Sequence, residues 1–259
     1  MEDQFLKVAK EAALEAGEFI ANLFGNQGAL SFKEGDTSNI TTKADLGAQD
    51  LIIKAIQKSF PDHNIIAEEQ VKINKDSIYT WVIDPLDGTT SFASGVPIFG
   101  VSIGLLKNNK PFLGVINWII QKELYWAQEN LGAYLNGKKI SVSKKDKLTE
   151  AVLGFEVGTR KYREQKYKSY VAPLFYIVRY PYFLGSSAIT LVLMSKGVLD
   201  GILEQAWLWD FVAGAIIIRE AGGKVTDFEG QEPDWTKERL NIVASNGLIH
   251  NQILEALKR

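Results

Sequence analysis

Two aspartates three residues apart, Asp84 and Asp87, stand between an apolar run and a Gly-Thr-Thr sequence. The run, Trp81–Ile83, is aromatic and β-branched and therefore predicts a strand, and Pro85, which has no backbone donor, predicts where that strand ends. Carboxylate oxygens are the ligands that Mg²⁺ prefers, and Gly88 lets the backbone N–H groups after it turn toward an anion. The segment therefore predicts a metal-dependent phosphate site, although Asp-Pro and Asp-Gly are also common in ordinary turns.

Other acidic positions are placed for the same chemistry. Asp45 precedes a stretch, residues 52–60, whose apolar residues recur at helical spacing, so it lies near the start of an amphipathic helix. An aspartate that only caps a helix would occupy the same position in the sequence. Glu68 and Glu69 follow a short apolar run, and Asp210 begins another helical pattern. An isolated acidic pair is usually solvated, since Asp and Glu are mostly exposed residues. Only the combination of these positions indicates a site.

Together these segments resemble the inositol monophosphatase family, the magnesium-dependent, lithium-sensitive phosphomonoesterases. The family pattern is a Glu-Glu pair, then Asp-Pro-Ile/Leu-Asp-Gly-Thr-Thr/Lys, then Trp-Asp at the start of a helix that ends in Glu-Ala-Gly-Gly. It occurs here as Glu68-Glu69, Asp84–Thr90 and Trp209–Gly223. The resemblance spans nearly the whole chain and implies a layered αβαβα sandwich of the inositol monophosphatase and fructose-1,6-bisphosphatase type. The alternation of strand and helix patterns alone indicates only a mixed α/β fold.

Carried over residue by residue, the resemblance implies a magnesium site with two or three ions. The implied metal ligands are Glu68, Asp84, the carbonyl of Leu86, Asp87 and Asp210. The implied catalytic residues, which activate a metal-bound water for direct attack on phosphorus, are Glu68, Thr89 and Asp45. The implied substrate contacts are Asp87, Gly88, Thr89, Thr90, Gly185, Ser186, Ser187, Glu204 and Asp210. Lys33 aligns with a basic residue near the family's site.

The implied activity is hydrolysis of a small phosphorylated polyol or sugar, with inositol 1-phosphate as the first choice. Gly88-Thr89-Thr90 resembles that branch more than the Gly-Thr-Lys form of the nucleotidases. Two features leave the substrate open: Glu204 lies one residue closer to Asp210 than the family spacing, and Ser186-Ser187 resembles the nucleotidase branch. A 3'(2'),5'-bisphosphate nucleotidase, a fructose-1,6-bisphosphatase and a histidinol-phosphatase are therefore alternatives within the family.

Two other classes are weighed against this interpretation. A haloacid dehalogenase-like phosphatase carries Asp-x-Asp and forms an aspartyl-phosphate, but two residues separate Asp84 from Asp87 here. A non-catalytic metal-binding regulatory subunit would keep the fold without turnover. All the acidic ligand positions are filled, which argues against it.

Composition excludes several partners and cofactors. The 259 residues are 46% hydrophobic, enough for one large or two modest cores. We expect two closely packed halves, residues 1–140 with most metal ligands and residues 141–259 with the leaving-group side and Asp210. The formal charge of -2 favours neither nucleic acid nor a membrane surface, and the absence of cysteine excludes cysteinyl-phosphate chemistry. The first residues lack a signal-peptide pattern, which predicts a cytoplasmic protein. A homodimer is implied by the resemblance only.

Apolar periodicity and turn residues predict the main elements. Helices are expected at residues 3–24, 187–196, 210–221 and 248–258, and antiparallel strands at 98–106, 112–119 and 123–127. Asn136-Gly137 predicts a hairpin, because a type I′ turn needs positive φ at both positions. The basic stretch Arg160–Lys168 is interpreted as a helix with inward tyrosines and solvated Lys and Arg, a grip on a second phosphate or a nucleotide being the alternative. His63 and His250 are expected on the surface.

Overall fold

Five alternating layers of helices and sheets form the part of the chain that the structure, a computed structural model, describes: residues 4–26, 31–32 and 37–258. The helices are α1 (Gln4–Leu23), α2 (Lys43–Ser59), α3 (Thr89–Ala93), α4 (Arg163–Lys166), α5 (Ala172–Phe175), α6 (Ser187–Ser195), α7 (Leu208–Glu220) and α8 (His250–Leu257). Helices α1 and α2 cover one face of an eight-stranded sheet, α6 and α7 separate it from a five-stranded sheet, and α5 and α8 cover the outer face of the latter. This is the αβαβα sandwich expected from the sequence, and the predicted fold class is confirmed.

Strands before residue 140 form the larger sheet and a separate two-stranded ribbon. They are β1 (Ser31–Phe32), β2 (Ile40–Thr41), β3 (Asn64–Ala67), β4 (Val71–Ile73), β5 (Tyr79–Asp87), β6 (Gly100–Lys107), β7 (Lys110–Trp118), β8 (Glu123–Gln128), β9 (Gly132–Leu135) and β10 (Lys138–Lys139). The ribbon pairs β1 with β2, and the sheet order is β10-β9-β8-β7-β6-β5-β3-β4. Only β3 and β5 are parallel in this sheet. Positive φ at Asn136 (46°) and Gly137 (79°) confirms the predicted hairpin between β9 and β10.

Strands after residue 151 form the smaller sheet. They are β11 (Val152–Glu156), β12 (Tyr180–Tyr182), β13 (Gly201–Trp207), β14 (Lys224–Thr226) and β15 (Arg239–Ser245), in the order β12-β11-β13-β15-β14. Strand β11 is parallel to both of its neighbours, and the other pairs are antiparallel. Helices α6 and α7 belong to the later part of the chain but pack on both sheets. The division into halves 1–140 and 141–259 stays a prediction.

Helix α7 lies between the two sheets, close to the backbone of the larger one. A Cβ on Gly104 would lie 2.5 Å from Val212, and one on Gly114 would lie 2.3 Å from the carbonyl oxygen of Ala213. Every residue of Phe211–Ile218 is buried, as expected for a helix covered on both sides. This packing fixes the start of α7 beside the end of β13, where Asp210 lies. The four predicted helices are confirmed within two residues at each end, and no described helix is long and apolar enough to cross a membrane.

The structure corrects the prediction for one histidine. His250 is fully buried, with Nδ1 2.8 Å from Oγ of Ser245 and Nε2 2.9 Å from Oγ1 of Thr226. Two hydroxyl groups satisfy both ring nitrogens, which is why the ring can be buried at the start of α8. His63 is half-buried, and its Nδ1 accepts a hydrogen bond from the indole of Trp81 at 3.1 Å.

In the stretch Arg160–Lys168 most basic side chains are exposed as predicted, but the structure corrects the prediction at Lys166 and Tyr167. A short 3₁₀ turn, Arg160–Tyr162, is followed by α4 and by a π-helical turn, Tyr167–Val171. Lys166 is only 7% exposed, whereas Tyr167 is 45% exposed. Changes of helical type rotate successive side chains away from a single 3.6-residue period, so a pattern based on that period assigns these two residues to the wrong faces.

Candidate active site

A β-bulge brings Asp84 and Asp87 to the same face of β5. In a regular strand, residues three apart point to opposite faces. The pairing with β6 shifts here, since Asp84 lies opposite Ser102 and Asp87 opposite Gly100, which inserts one extra residue into β5. Pro85 lies inside the bulge, where no ladder donor is needed. The prediction that the strand ends at Pro85 is therefore wrong, because β5 continues to Asp87.

Asp210 forms a group of three carboxylates with Asp84 and Asp87. One oxygen atom of each lies within 4.8 Å of the other two. Asp210 is the third residue of α7, and its Oδ2 accepts a hydrogen bond from the backbone N–H of Trp207 at 2.7 Å, which caps the helix and orients the side chain. Three hard oxygen donors this close together could hold a divalent metal ion.

The start of α6 holds Asp87 from the opposite side. The Asp87 carboxylate accepts hydrogen bonds from the Ser186 hydroxyl at 2.8 Å, from the N–H of Ser187 at 3.3 Å and from the N–H of Ala188. Ser186 also caps α6 by accepting from the N–H of Ile189 at 3.2 Å. Ser186 and Ser187, which we expect on the leaving-group side, therefore contact one of the three carboxylates directly.

Gly88 turns the chain from β5 into the short helix α3. Its φ of +86° is left-handed, and a Cβ there would lie 2.6 Å from the carbonyl oxygen of Ile98. Glycine is required on both counts. The Leu86 side chain is buried, and its carbonyl oxygen lies 2.9 Å from Oγ1 of Thr89. Thr90 is exposed and lines the same cleft.

Asp45 links the start of α2 to Thr89. Its Oδ2 accepts hydrogen bonds from the backbone N–H and the hydroxyl of Thr42, at 2.7 and 2.6 Å, in a capping box. Its Oδ1 lies 3.0 Å from Oγ1 of Thr89. A helix cap and a site contact are therefore not alternatives for Asp45, because each uses a different carboxylate oxygen.

The two members of the acidic pair have different surroundings. Glu68 lines the cleft and hydrogen-bonds with Asp84. Glu69 receives a hydrogen bond on its backbone carbonyl from the Gln49 side chain at 3.3 Å, and its own N–H donates to Oε1 of Gln49 at 3.1 Å. The hydroxyl of Thr41 lies 3.4 Å from the Glu69 carboxylate. Glu69 thus joins the end of β3 to α2 and β2, and Glu68 is the member of the pair beside the carboxylate group.

Burial concentrates negative charge at this end of the cleft. It raises the pKa of Asp84 well above its usual value, and the charges of Glu68, Asp87 and Asp210 raise it further. The pKa of Asp210 is also well above its usual value, because of burial and then the charges of Asp87 and Glu68. Burial raises the pKa of Asp45 and of Asp87 to about 6, against hydrogen bonds that lower it. A bound cation would stabilise the ionised form of all these groups.

Glu204 lies on the other side of the cleft, near the start of α6. Its Oε1 accepts a hydrogen bond from the Ser187 hydroxyl at 2.8 Å, and its Oε2 is buried without a partner among the described residues. Burial raises the pKa of Glu204 well above its usual value, and the charges of Asp210 and Glu156 raise it further. A buried carboxylate oxygen without a protein partner is free to bind a substrate group.

Glu156 is a site residue that the sequence analysis does not identify. Its carboxylate accepts hydrogen bonds from the N–H groups of Leu184 at 3.1 Å and Gly185 at 3.0 Å and from the Thr190 hydroxyl at 2.8 Å, which fixes the turn before α6. Burial raises the pKa of Glu156 to about 7 despite these bonds. The signal that could have found it is an acidic residue at the end of an otherwise apolar strand, β11.

These groups share one cleft of about 600 Å³. A cavity of that size suits a small molecule. The predicted site residues that line it are Glu68, Asp87, Gly88, Thr89, Thr90, Gly185, Ser186, Ser187, Glu204 and Asp210. Asp45, Asp84 and Leu86 lie just behind this wall, in contact with residues that line it. Lys33 lies outside the described residues.

Comparison with known proteins identifies the family to which this fold and site belong. The model of the inositol monophosphatase family matches residues 1–259. The chain belongs to the inositol monophosphatase family. It is 38% identical to the "Inositol-1-monophosphatase" of Synechocystis sp., over 98% of this chain and 88% of that protein. It is 34% identical to the "Fructose-1,6-bisphosphatase/inositol-1-monophosphatase" of Aquifex aeolicus, over 99% of this chain and 96% of that protein.

A solved structure of similar fold agrees with this assignment. The crystal structure of the extragenic suppressor protein suhB from Bartonella henselae matches with a TM-score of 0.92 and 31% identity, over 99% of both chains. The resemblance to the inositol monophosphatase family expected from the sequence is therefore confirmed, and so is the enzyme class, a phosphatase acting on phosphomonoesters. The roles of individual site residues stay predictions.

Proposed function

We propose that this member of the inositol monophosphatase family is a Mg²⁺-dependent phosphomonoesterase for small phosphorylated polyols or sugars, with inositol 1-phosphate as the first choice. The observation that carries the proposal is the group of Asp84, Asp87 and Asp210, with oxygen atoms within 4.8 Å of one another beside a cleft of small-molecule size. The names of the Synechocystis and Aquifex relatives agree with this substrate class.

The donor set fits magnesium. Asp84, Asp87 and Asp210 offer only hard oxygen ligands. Burial raises the pKa of all three, the charges of neighbouring carboxylates raise it further, and a divalent cation would offset both effects. We assign Glu68 and the carbonyl of Leu86 to the same ligand set, for two or three ions. Bound Mg²⁺ would neutralise the phosphate oxygens, lower the pKa of a water molecule and stabilise the departing alkoxide.

Thr89 and Asp45 are the residues that we assign to the attacking water. Oγ1 of Thr89 and Oδ1 of Asp45 are 3.0 Å apart, so a proton that the threonine hydroxyl receives from water can pass to the carboxylate. The pKa of Asp45, about 6 because of burial, suits a proton acceptor at neutral pH. Glu68 is the second candidate acceptor. In this proposal water attacks phosphorus directly and no residue is phosphorylated.

The remaining contacts divide between phosphate and leaving group. We assign Gly88, Thr89 and Thr90 to the phosphate, because they follow Asp87 and face the cleft. We assign Gly185, Ser186, Ser187, Glu204 and Asp210 to the leaving group. The unpartnered Oε2 of Glu204 supports this assignment, since it can accept a hydrogen bond from a substrate hydroxyl.

Partners and location are also proposed. We expect a homodimer, on the basis of the family resemblance, and a cytoplasmic location. We expect neither nucleic acid nor a membrane as a partner, because the net charge is only -2. Light scattering during gel filtration measures the number of subunits, and cell fractionation measures the location.

Phosphate release tests the proposed reaction. The purified protein is assayed with inositol 1-phosphate, histidinol phosphate and adenosine 3',5'-bisphosphate, in a magnesium titration and with EDTA. We expect release that requires Mg²⁺ and that submillimolar to millimolar Li⁺ inhibits. Magnesium binding without release from any ester would instead indicate a non-catalytic subunit. A phosphate trapped on Asp84 in rapid-quench experiments would replace direct attack with a covalent route.

A further inference from the structure

Strand β6 carries a buried serine directly opposite one of the proposed metal ligands. In the antiparallel pairing of β5 with β6, Ser102 lies opposite Asp84. Side chains directly opposite each other in such a pair point to the same face of the sheet, with Cβ atoms about 4.5 to 5.5 Å apart. Ser102 is therefore a direct neighbour of the Asp84 side chain.

The neighbours of Ser102 show which face of the sheet it belongs to. Val101 and Ile103, on either side of it, pack in the core formed with α1 and α2. Successive residues of a strand alternate between the two faces, so Ser102 points the other way, toward α7. Val82, two residues before Asp84, packs in the core that α7 shares. The carboxylate of Asp84 and the hydroxyl of Ser102 thus lie on the same side of the sheet.

Packing against α6 and α7 explains a small residue at this position but not a hydroxyl. On the same face of β6, a Cβ on Gly104 would lie 2.5 Å from Val212 of α7. A Cβ on Gly100 would lie 3.2 Å from the side chain of Ile189 of α6. The helices thus leave room only for small residues along this face. Alanine would meet that requirement as well, so the hydroxyl of Ser102 needs another explanation.

The hydroxyl of Ser102 is buried without a protein partner. The residue is only 1% exposed, and its Oγ makes no hydrogen bond with any of the described residues. A buried serine of α6 shows the usual arrangement, since Oγ of Ser195 lies 2.8 Å from the carbonyl oxygen of Val192. Burying a hydroxyl without such a partner is unfavourable. The hydroxyl of Ser102 is therefore placed for a partner that is not a protein atom.

The Asp84 carboxylate, beside Ser102, has acceptor capacity left. Its Oδ1 accepts a hydrogen bond from the backbone N–H of Leu86 at 3.0 Å, and it also hydrogen-bonds with Glu68. The start of α6, by contrast, supplies Asp87 with several donors. An ionised carboxylate can accept about four hydrogen bonds, and one that binds a metal is usually held by further hydrogen bonds.

We propose that Ser102 is a positioning residue of the metal site, whose hydroxyl binds a water molecule that donates a hydrogen bond to the Asp84 carboxylate. A water bridge fits because the two side chains share a face of the sheet but are not in direct hydrogen-bonding contact. The bridge fixes the orientation in which Asp84 binds Mg²⁺ and makes no contact with the substrate. The inference rests on the proposed function, because it concerns the proposed magnesium ligands.

Magnesium affinity tests this role. Mg²⁺ is titrated calorimetrically into metal-free wild type and variants, and Asp87→Asn identifies the heat that comes from the site itself. We expect Ser102→Ala to bind Mg²⁺ about 10-fold more weakly, the scale for groups that hold a metal ligand. Ser102→Cys keeps the volume but donates only weakly, so it should lose nearly as much. Ser195→Ala, the matched control, removes a buried hydroxyl at the far end of α6 and should keep wild-type affinity.

Melting temperatures separate this role from a purely structural one. Because the hydroxyl has no protein partner, Ser102→Ala in EDTA should melt no more than about 2 °C below wild type, and Mg²⁺ should stabilise it less than wild type. A hydroxyl that served only the packing of the fold would lower the melting temperature equally with and without Mg²⁺, which would overturn the proposal. So would wild-type Mg²⁺ affinity in Ser102→Ala. A loss in Ser102→Ala that Ser102→Cys does not share would overturn it too, because volume alone would then explain the loss.

A crystal structure with Mg²⁺, at a resolution that shows water molecules, tests the bridge itself. We expect one water molecule within hydrogen-bonding distance of both Oγ of Ser102 and a carboxylate oxygen of Asp84. Density that shows no water molecule there would overturn the proposed bridge.

Phosphate release separates failure of this role from failure of the proposed reaction. Ser102→Ala should need about 10-fold more Mg²⁺ for its half-maximal rate, but at saturating Mg²⁺ it should keep at least about a third of the wild-type kcat with an unchanged KM for the ester. If no ester is hydrolysed but the pattern of Mg²⁺ affinities holds, the proposed reaction is wrong and the role of Ser102 stands. If esters are hydrolysed with Mg²⁺ but both Ser102 variants bind Mg²⁺ as wild type does, the role of Ser102 is wrong and the reaction stands.

Discussion

The metal-ligand end and the leaving-group end of the cleft are built in different ways. At the metal-ligand end a single contiguous segment, Asp84–Thr90, supplies two carboxylates, a glycine turn and a hydroxyl, and it is shaped by one bulge in β5. At the leaving-group end, five separate parts of the chain each supply a side chain: Glu156, Lys166, Ser187, Glu204 and Arg239.

This difference implies that the metal-ligand end controls the reaction and that the leaving-group end controls which ester is preferred. Backbone geometry fixes the contiguous segment, because neither the bulge nor the left-handed Gly88 can be changed without moving Asp84 and Asp87 together. The side chains of the leaving-group end can vary singly, since each lies on its own element. We therefore expect variants at the first end to affect every ester alike, and variants at the second end to depend on the ester.

Asp87→Asn should have the largest effect. It removes one negative charge from the group of three carboxylates at nearly constant volume, so turnover of all esters should fall by at least about 10³-fold if Asp87 is a metal ligand. Steady-state phosphate release at limiting Mg²⁺ measures this. Asp62→Asn, in an exposed turn, is the matched control and should keep wild-type activity. Near wild-type activity of Asp87→Asn would remove Asp87 from the ligand set.

Thr89→Ala should lower kcat by about 10² to 10⁴-fold, with little change in KM, because the hydroxyl acts on proton transfer rather than on substrate binding. Thr89→Ser keeps the hydroxyl and should recover most of the rate. The ratio of activities toward different esters should stay constant, as for any residue of the contiguous end. A rise in KM at unchanged kcat would assign Thr89 to substrate binding instead.

The metal-ligand end of the cleft was easier to predict from the sequence than the leaving-group end. The segment Asp84–Thr90 was predictable because its carboxylates, glycine and hydroxyl are adjacent in the sequence, and neighbouring residues remain neighbours in any fold. The bulge was not predictable, because it depends on the register of β5 against β6. The sequence of β5 alone predicts that the strand ends at Pro85. The main helices were predictable because each buries one face at a regular period.

The burial of Lys166 and the position of Glu156 in the site were not predictable, because both depend on residues that are distant in the sequence. Lys166 stands in a stretch rich in charge, and its burial depends on β13 and on a π-helical turn that no local propensity indicates. Glu156 is held by Leu184 and Gly185, residues almost 30 positions away. His250 is buried for the same kind of reason, since its two hydroxyl partners lie on β14 and β15. Contacts between distant segments carry no local sequence signal.

Glu204→Gln tests the leaving-group end. The change keeps the shape but weakens a hydrogen-bond acceptor, so esters whose leaving groups donate a hydroxyl to Oε2 should lose about 10- to 100-fold in kcat/KM, mainly through KM. An ester with a simple leaving group, such as p-nitrophenyl phosphate, should lose much less. Kinetics with both kinds of ester measure the difference. An equal loss on both would mean that Glu204 supports the reaction itself, and the division between the two ends would not hold at this residue.

The smallest expected effect is a pH-dependent stabilisation by Mg²⁺. Burial raises the pKa of Asp45 and Asp87 to about 6 and that of Glu156 to about 7, so between their usual pKa values and these values the folded protein holds more protons than the unfolded chain. Their contribution to the stability of the metal-free protein therefore falls as pH rises from about 4 to about 7. His250 acts in the opposite sense, since burial lowers its pKa to about 4.

Comparing melting temperatures with and without Mg²⁺ cancels the histidine contribution and isolates the carboxylates. Mg²⁺ competes with protons for them, so its stabilisation should be larger at about pH 7.5 than at about pH 5. At 100 times its dissociation constant, Mg²⁺ should raise the melting temperature by about 5 to 10 °C at the higher pH. Asp87→Asn should lose most of this increase, whereas Glu204→Gln should retain it, because only the first lies at the metal-ligand end. An equal increase in both variants at both pH values would place the bound Mg²⁺ elsewhere on the protein.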